Sequence, residues 1–178
     1  MLNKKNCQLI VFFIVNMHLN NIKSQELGYV GGLNKIGIQP TIYQPLYGFS
    51  IGANVSKYFS IETNLIYSQR TINETTQADY LSFMAIPKIG YFTKKFGIYY
   101  APSLSLNPTL YHSNIKNHTY LSSNQSIGGQ INLSKKIIVD LKAGYHLGLT
   151  GAYFENGMYK NYNGIEIMFG LKCQFNHS

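Results

Sequence analysis

The last stretch of the chain, Asn163–Phe175, alternates regularly between two kinds of residue. One row is apolar and consists of Ile165, Ile167, Phe169, Leu171, Cys173 and Phe175. The other row is mostly small, amide or charged and consists of Gly164, Glu166, Met168, Gly170, Lys172 and Gln174. A period of two is that of a β-strand, whose successive side chains point to opposite faces. The stretch therefore predicts a strand with a different environment on each face.

The same alternation recurs along the chain and predicts eight strands. They cover residues 26–34, 47–56, 59–71, 80–92, 96–107, 122–134, 137–149 and 163–175. Most exceed the roughly 9 to 11 residues that a tilted strand needs to cross a bilayer. After the amino-terminal segment no apolar run reaches the roughly 18 residues of a transmembrane helix, which excludes a helical membrane protein. Pro87 and Pro102 lie within predicted strands and predict bulges, since proline cannot donate to the ladder.

The connections between the predicted strands alternate between long and short. The long connections cover residues 35–46, 72–79, 108–121 and 150–162, and the short ones cover residues 57–58, 93–95 and 135–136. In an up-and-down arrangement all the long connections fall at one end. This asymmetry is typical of barrels of the bacterial outer membrane. The sequence therefore predicts an all-β fold, an eight-stranded antiparallel up-and-down transmembrane β-barrel.

Residue size indicates which row of side chains faces the barrel interior. Small residues between the apolar positions include Gly48, Ser50, Gly52, Gly97, Ser103, Ser105, Gly128, Gly144 and Gly148. Such residues suit the crowded interior of an eight-stranded barrel. A soluble, lipocalin-like barrel is the structural alternative, but its water-facing row would favour threonine, lysine and glutamate. We therefore expect the apolar row to face lipid.

The amino-terminal segment resembles a secretory signal peptide. Lys4 and Lys5 precede an apolar run at residues 9–15, and a polar stretch follows as far as Ser24. We predict a signal peptide over residues 1–24 and an outer-membrane β-barrel domain over residues 25–178. Removal of the signal peptide would leave Cys173 as the one cysteine of the mature chain, which excludes an internal disulfide.

Charge is scarce and unevenly placed. Charged residues make up 12% of the chain, about half the share that is usual for soluble domains. Loss of Lys4, Lys5 and Lys23 with the leader would leave 12 basic and 7 acidic residues, a net charge of +5. That excess equals the five lysines of the short turns, which are Lys57, Lys94, Lys95, Lys135 and Lys136. The turns form no aromatic-lined groove, so we expect no nucleic-acid partner but anchoring against anionic headgroups or the cell wall.

Most other charges fall on the row predicted to face the interior, where acidic and basic residues balance. The predicted lumen network comprises Glu26, Glu62, Arg70, Lys88, Asp140, Lys142, His146, Glu166 and Lys172. Unpaired buried charge is strongly disfavoured, so a balanced set predicts a filled lumen rather than a selective pore. Register arithmetic predicts the directly opposed pairs Asp140–Lys172, His146–Glu166 and Glu62–Lys88, with Glu26 beside Lys172.

No group of residues in the sequence predicts catalysis or a cofactor. His146 and Glu166 with a nearby serine would suit a hydrolytic set in a lipid-processing enzyme. Such an enzyme needs its catalytic groups where lipid can reach them, whereas both residues lie on the inner row. We therefore interpret them as a structural pair in the lumen.

The third long loop, residues 108–121, contains the candidate contact surface. Its members are Tyr111, His112, His118 and Tyr120. The two histidines have no cysteine or carboxylate nearby in sequence and match no ligand spacing, so they predict no metal site. We expect this loop to meet a partner outside the cell.

Several short segments occur in a particular order along the chain. They are G-G-L-N at 31–34, L-I-Y-S-Q at 65–69, Y-L at 80–81 with A-I-P at 85–87, Y-A-P at 100–102 and G-Y-H-L-G-L at 144–149. Over nearly the whole mature chain they resemble the small outer-membrane β-barrel family that includes the PorT-like proteins. Asn64 and Ala101 depart from that family, which more often has glutamate and glycine there. The carboxyl terminus resembles an assembly signal, with Gly170, Cys173 and Phe175 in its glycine and hydrophobic positions.

The resemblance implies fold and location more than activity, since the family includes accessory factors of protein secretion and barrels of unknown role. We expect a monomeric, non-enzymatic barrel in the cell outer membrane that contacts outer-membrane lipid and the assembly machinery. It would act through extracellular loops or periplasmic turns on a secretion-system or surface protein partner. The alternatives are a small-solute pore and a lipid-processing outer-membrane enzyme.

Overall fold

The computed structural model describes residues 24–37, 43–73, 76–111, 119–150, 152–153, 159–160 and 162–175. The strands in these ranges are β1 (Ser24–Gly37), β2 (Gln44–Asn54), β3 (Phe59–Asn73), β4 (Thr76–Phe92), β5 (Phe96–Tyr111), β6 (Thr119–Asn132), β7 (Ile137–Gly148), β8 (Ala152–Tyr153), β9 (Tyr159–Lys160) and β10 (Asn163–Phe175). β8 and β9 pair as a small separate ribbon. Residues 1–23, which hold nearly all of the predicted signal peptide, lie outside the described residues. No helix in the described ranges is long and apolar enough to cross a bilayer.

The eight long strands close into an antiparallel barrel. Their order around the wall is β1-β10-β7-β6-β5-β4-β3-β2, and β10 completes the closure by pairing with β1. Paired residues lead once around the wall from Leu27 through Ile51, Thr63, Ala85, Leu104, Ser123, Leu147 and Asn163 back to Gly37. The stagger is thus 37 − 27 = 10 residues along β1. Such a stagger tilts the strands by about 35–45° from the barrel axis. The predicted eight-stranded antiparallel barrel is confirmed.

The apolar row of the wall faces outward. In β10, Ile167, Phe169 and Leu171 are 41%, 50% and 53% exposed. Glu166 and Lys172 on the same strand are only 5% and 2% exposed. β2 and β7 show the same alternation of exposed and buried residues. This arrangement is the reverse of a soluble lipocalin-like barrel, whose apolar row would be inside.

Short turns lie at one end of the barrel. They are residues 55–58, 93–95 and 133–136. Both termini of the barrel lie at this end, because Gln25 pairs with Phe175 and Ser24 pairs with Asn54. We call it the turn end. The opposite, loop end carries the connections 38–43, 74–75, 112–118 and 149–162.

The loop predicted over residues 72–79 is wrong, because the strands continue through most of it. Gln69 pairs with Asp79, and Asn73 pairs with Thr76, which leaves residues 74–75 as the connection. Apolar residues are scarce in this segment, so the ladder continues where the alternation that marks a strand is lost.

The bulges predicted at Pro87 and Pro102 are also wrong. The register is the same on both sides of the two prolines, with the pairs Ala85–Leu104 and Ile89–Tyr100. Only the ladder is interrupted, because proline has no amide hydrogen to donate. Register shifts occur nearer the loop end, at Asp79/Tyr80 and Thr71/Asn73.

Candidate functional site

All nine residues predicted for the lumen network are buried inside the barrel, and none is more than 5% exposed. They come from β1, β3, β4, β7 and β10 and are Glu26, Glu62, Arg70, Lys88, Asp140, Lys142, His146, Glu166 and Lys172. Eight of them separate into two groups, and the ninth, Glu166, is hydrogen-bonded to Asn124. The ion cluster, near the turn end, consists of Glu26, Glu62, Lys88, Asp140, Lys142 and Lys172. The arginine cluster, toward the loop end, consists of Arg70, His146 and the polar side chains of Ser82, Asn107 and Ser122.

Two carboxylates, Glu62 and Asp140, form the centre of the ion cluster. Glu62 Oε2 lies 2.7 Å from Lys88 Nζ and also contacts Lys172 Nζ. Glu62 Oε1 accepts a hydrogen bond of 3.0 Å from Lys142 Nζ. Asp140 Oδ2 lies 2.5 Å from Lys88 Nζ and 2.7 Å from Lys172 Nζ. Lys88 and Lys172 therefore each bridge both carboxylates.

Glu26 completes the charge balance of the ion cluster. Its Oε2 lies 3.9 Å from Lys172 Nζ, and its Oε1 accepts a hydrogen bond of 2.5 Å from Asn54 Nδ2. Three lysines thus face three carboxylates. A buried group of charges is tolerated when it is paired and hydrogen-bonded, so this neutrality is what allows the cluster to occupy the lumen.

Tyr99 covers the ion cluster from β5. Its hydroxyl donates a hydrogen bond to Asp140 Oδ1, and Lys88 Nζ lies 4.5 Å from the centre of its ring. The ring extends over Gly128, its partner residue on β6, where an added Cβ would lie 2.5 Å from the Tyr99 hydroxyl oxygen. Gly128 therefore leaves the space that the ring occupies.

The register predicted for the ion pairs is wrong by two residues. Asp140 lies opposite Gly170 rather than Lys172. Glu62 lies opposite Ile86 rather than Lys88. The ion pairs form diagonally instead, because a long lysine stem spans the offset of two residues on one face.

The predicted pairing of His146 with Glu166 is wrong as well. In the ladder His146 lies opposite Gly164, and Glu166 lies opposite Gly144. Glu166 Oε1 accepts a hydrogen bond of 2.7 Å from Asn124 Nδ2 on β6. Both residues lie in the lumen, but each has a different partner.

Arg70 is the centre of the arginine cluster. Its Nη1 lies 3.3 Å from His146 Nε2, which accepts the hydrogen bond because a guanidinium group only donates. Its Nη2 donates to Ser82 Oγ at 3.3 Å and to Asn107 Oδ1 at 3.2 Å. Asn107 Nδ2 donates in turn to Ser122 Oγ at 2.9 Å. The cluster therefore joins β3, β4, β5, β6 and β7 across the lumen.

A tyrosine cluster, formed by Tyr80, Tyr120 and Tyr162, closes the lumen beside Arg70. The three ring centres lie 5.2 to 5.7 Å apart, and the Tyr80 hydroxyl donates to that of Tyr162 at 3.0 Å. Arg70 Cζ lies 5.2 Å and 5.0 Å from the ring centres of Tyr80 and Tyr120. Burial, and then the neighbouring Tyr80 hydroxyl, raise the pKa of Tyr162, which therefore stays uncharged.

One residue of the candidate contact surface, Tyr120, lies inside the barrel. Tyr120 is 1% exposed, so the prediction that it contacts a partner is wrong. β6 begins at Thr119, before the start predicted at residue 122, and this places Tyr120 on the inner row with Ser122 and Asn124. His112, His118 and the side chain of Tyr111 lie outside the described residues.

The interior leaves little free space beside the ion cluster. A cavity of about 10 Å³ is lined by Val30, Glu62, Asp140, Lys142, Met168, Phe169, Gly170 and Lys172. This is about the smallest volume that holds one water molecule. In the part of the chain that the structure describes, no group of three or more histidine, cysteine or acidic residues could hold a metal ion. The geometry therefore supports charge pairing and packing.

Sequence reasoning from charges missed the tyrosines and Asn107. Tyr80, Tyr99 and Asn107 each lie an even number of residues from a predicted inner position on their own strand, such as Lys88 or Ser103. The alternation of faces would therefore have placed them inside. Their hydrogen-bond partners depend on contacts across the barrel and had no sequence signal.

No family model matches the chain, and neither does any curated protein. Solved structures do match. Neisserial surface protein A superposes with a TM-score of 0.67 at 14% identity, covering 86% of this chain and 97% of that chain. The N-terminal β-barrel domain of Pseudomonas aeruginosa OprF gives 0.58 at 15% identity, covering 86% and 98%. Ail of Yersinia pestis, solved with the heparin analogue sucrose octasulfate, gives 0.53 at 12% identity, covering 85% and 97%.

The fold is that of the small outer-membrane β-barrels. Nearly the whole of each matched chain is covered, so the similarity extends over the complete barrel. At 12 to 15% identity the similarity shows the fold alone.

Proposed function

We propose that this chain is an integral outer-membrane protein whose barrel is filled by its own side chains and which acts by contact at its two ends. The outward apolar row supports a position in lipid, since a barrel in water would not leave such a row exposed. Solved proteins of the same fold include the outer membrane protein OprG from Pseudomonas aeruginosa, at a TM-score of 0.52 and 9% identity. In this proposal the turn end faces the periplasm and the loop end faces outside.

The observation that carries the proposal is the closure of the lumen at two levels. The neutral ion cluster joins β1, β3, β4, β7 and β10 near the turn end. The arginine and tyrosine clusters join the strands again toward the loop end. A solute would have to break buried ion pairs at the first level and displace packed rings at the second. This arrangement favours a contact protein over the small-solute pore.

The proposal also treats the protein as non-enzymatic. His146 is the one histidine of the predicted lumen set, and its Nε2 is occupied by Arg70 in the buried interior. Glu166 is buried and accepts a hydrogen bond from the Asn124 side chain. Neither group faces the outer wall, where a lipid substrate would arrive. A PorT-like role in secretion, and contact through the loop around residues 112–118, remain predictions from the sequence.

Conductance in a planar bilayer is the direct test of the proposal. The refolded barrel should insert and add no current above that of the bare bilayer; its shifted gel mobility checks folding, and its flotation with lipid vesicles checks insertion. Discrete current steps of constant size from the unaltered protein would overturn the filled lumen in favour of a pore. Failure of the folded chain to enter any bilayer would overturn the membrane position.

A further inference from the structure

Five exposed lysines form a ring around the turn end. Lys57 lies in the turn between β2 and β3, Lys94 and Lys95 in that between β4 and β5, and Lys135 and Lys136 in that between β6 and β7. Every turn at this end thus carries at least one lysine. The acidic residues that the structure describes are either buried in the lumen or, for Asp79, near the loop end. The lysine ring therefore has no neutralising partner within the described part of the chain.

The turns hold this ring in place through hydrogen bonds to neighbouring strands. Phe92 N donates to Lys57 O at 2.8 Å, and Asn132 N donates to Lys95 O at 2.9 Å. Gln174 N donates to Lys136 O at 2.8 Å. Each lysine-bearing turn is therefore fixed to the strand beyond its own hairpin. The hydrogen-bonded turns therefore hold the backbone of the lysines at the turn end, while the lysine side chains extend into the surroundings.

Exposed aromatic side chains, which we call the aromatic belt, lie at the turn end next to the lysine-bearing turns. Tyr58, Tyr91, Phe96 and Phe175 are all about half exposed at the turn end. Lys57 Nζ lies 4.9 Å from the ring centre of Tyr58, and the rings of Tyr58 and Tyr91 lie 6.2 Å apart. Aromatic side chains at this position are typical of the level of lipid headgroups. The lysines would then stand at the phosphate level of the adjoining leaflet.

We propose that the lysine ring binds anionic phospholipid headgroups of the leaflet that surrounds the turn end. Charge complementarity favours this ligand. The five lysines have no counter-charge in the described part of the chain, and each basic residue near a bilayer surface is attracted to its acidic lipids. The aromatic belt favours lipid over a polymer further from the membrane, because it places the lysines at headgroup depth. The inference rests on the proposed function, which puts the barrel wall in a bilayer.

Selective quenching of a reporter tryptophan tests this inference, because the chain has no tryptophan of its own. Phe96→Trp reports on the turn end, and Tyr47→Trp reports on the loop end of the outer wall. Each variant is reconstituted into phosphatidylcholine vesicles that contain a minor share of phosphatidylglycerol, with bromine on one lipid at a time. At low salt, brominated phosphatidylglycerol should be enriched about threefold over its bulk share around Phe96→Trp and should not be enriched around Tyr47→Trp.

Lysine variants complete the test. Replacing all five turn lysines with glutamine should abolish the enrichment, as should high salt, whereas Lys35→Gln near the loop end should leave it unchanged. Equal quenching by the two brominated lipids in every variant would overturn the lipid site while leaving the membrane position intact. Sedimentation with peptidoglycan, without lipid enrichment, would overturn it in favour of the cell wall. Absence of quenching by brominated phosphatidylcholine would instead contradict the proposed function.

Discussion

Pro87 lies opposite Pro102 across the ladder between β4 and β5, so neither residue can donate a hydrogen bond to the carbonyl of the other. The pairing on either side, Ala85 with Leu104 and Ile89 with Tyr100, fixes this relationship. Both prolines belong to the outer row and lie far from either end of their strands. In a membrane no water would replace the two missing bonds, so this seam is a weak point of the wall.

Restoring a backbone N–H group at either proline position should stabilise the barrel. Pro87→Val supplies a donor to the Pro102 carbonyl, and Pro102→Val supplies one to the Pro87 carbonyl. Each should raise the free energy of unfolding by about 1 kcal/mol, the usual net contribution of a hydrogen bond. Urea unfolding in lipid vesicles, followed by circular dichroism, measures the change. Ala85→Val on the same outer row is the control, since Ala85 already pairs with Leu104 in the ladder, and equal effects at all three sites would contradict the explanation.

The neutrality of the ion cluster predicts a non-additive pair of substitutions. Asp140→Asn leaves three lysines against two carboxylates and should cost about 3 to 5 kcal/mol of unfolding free energy. Lys142→Met leaves the opposite imbalance. The double variant restores neutrality, so its cost should fall below the sum of the single costs by about 1 to 3 kcal/mol. Additive costs in a double-mutant cycle would show that charge balance does not hold the cluster together.

Adjacent glycines on opposite faces of β6 provide a matched comparison. Gly128→Val would push a side chain into the Tyr99 ring and disturb its hydrogen bond to Asp140. It should lower the free energy of unfolding by about 1 to 3 kcal/mol, as overpacked cores do. Gly129→Val faces outward, where its Cβ would meet Gly97 O at an ordinary 3.5 Å, and should change stability by less than about 0.5 kcal/mol. An equal loss in the two variants would contradict the assignment of the faces.

Removal of the tyrosine cluster tests which level closes the lumen. The variant Tyr80→Ala/Tyr162→Ala loses two packed rings but keeps every ion pair near the turn end. It should remain non-conducting, because the ion cluster still fills the barrel. Adding Lys88→Ala, Lys172→Ala and Arg70→Ala removes the lysines that bridge Glu62 and Asp140 together with the centre of the arginine cluster, and should produce current steps in a planar bilayer. Gel mobility of each variant confirms that the barrel is folded before its current is interpreted.

Within the predicted strands, the sequence was sufficient to predict which residues face the interior, and insufficient to predict how they pair. Strict alternation in β10 separates Glu166 and Lys172 from Phe169 without any knowledge of neighbouring strands. Pairing depends on the ladder, in which Asp140 lies opposite Gly170, two residues from the predicted Lys172. A shift of two keeps every side chain on its face, so the pattern of apolar and polar residues does not detect it.

The strand ends toward the loops were harder to predict than the wall. Between residues 72 and 79 the ladder continues although the sequence has no apolar row there. The alternation is also lost at the start of β6, so the sequence predicted Tyr120 to be a loop residue. Beyond the apolar band the outer face is no longer selected for lipid, so alternation weakens while hydrogen bonding persists. Tyr120 and Tyr162 lie in this region and had no clear sequence signal, whereas the alternation of faces along β4 would have placed Tyr80 inside.

Depth-dependent quenching most directly tests the central claim that the apolar outer row of the barrel lies in lipid. Phe169→Trp lies mid-way along the exposed row of β10, and Phe175→Trp lies at its turn end. In vesicles with bromine at different acyl positions, Phe169→Trp should be quenched most by bromine deep in the chain, and Phe175→Trp most by bromine near the headgroup. Absence of quenching at Phe169→Trp, or identical depth profiles at the two positions, would contradict the account.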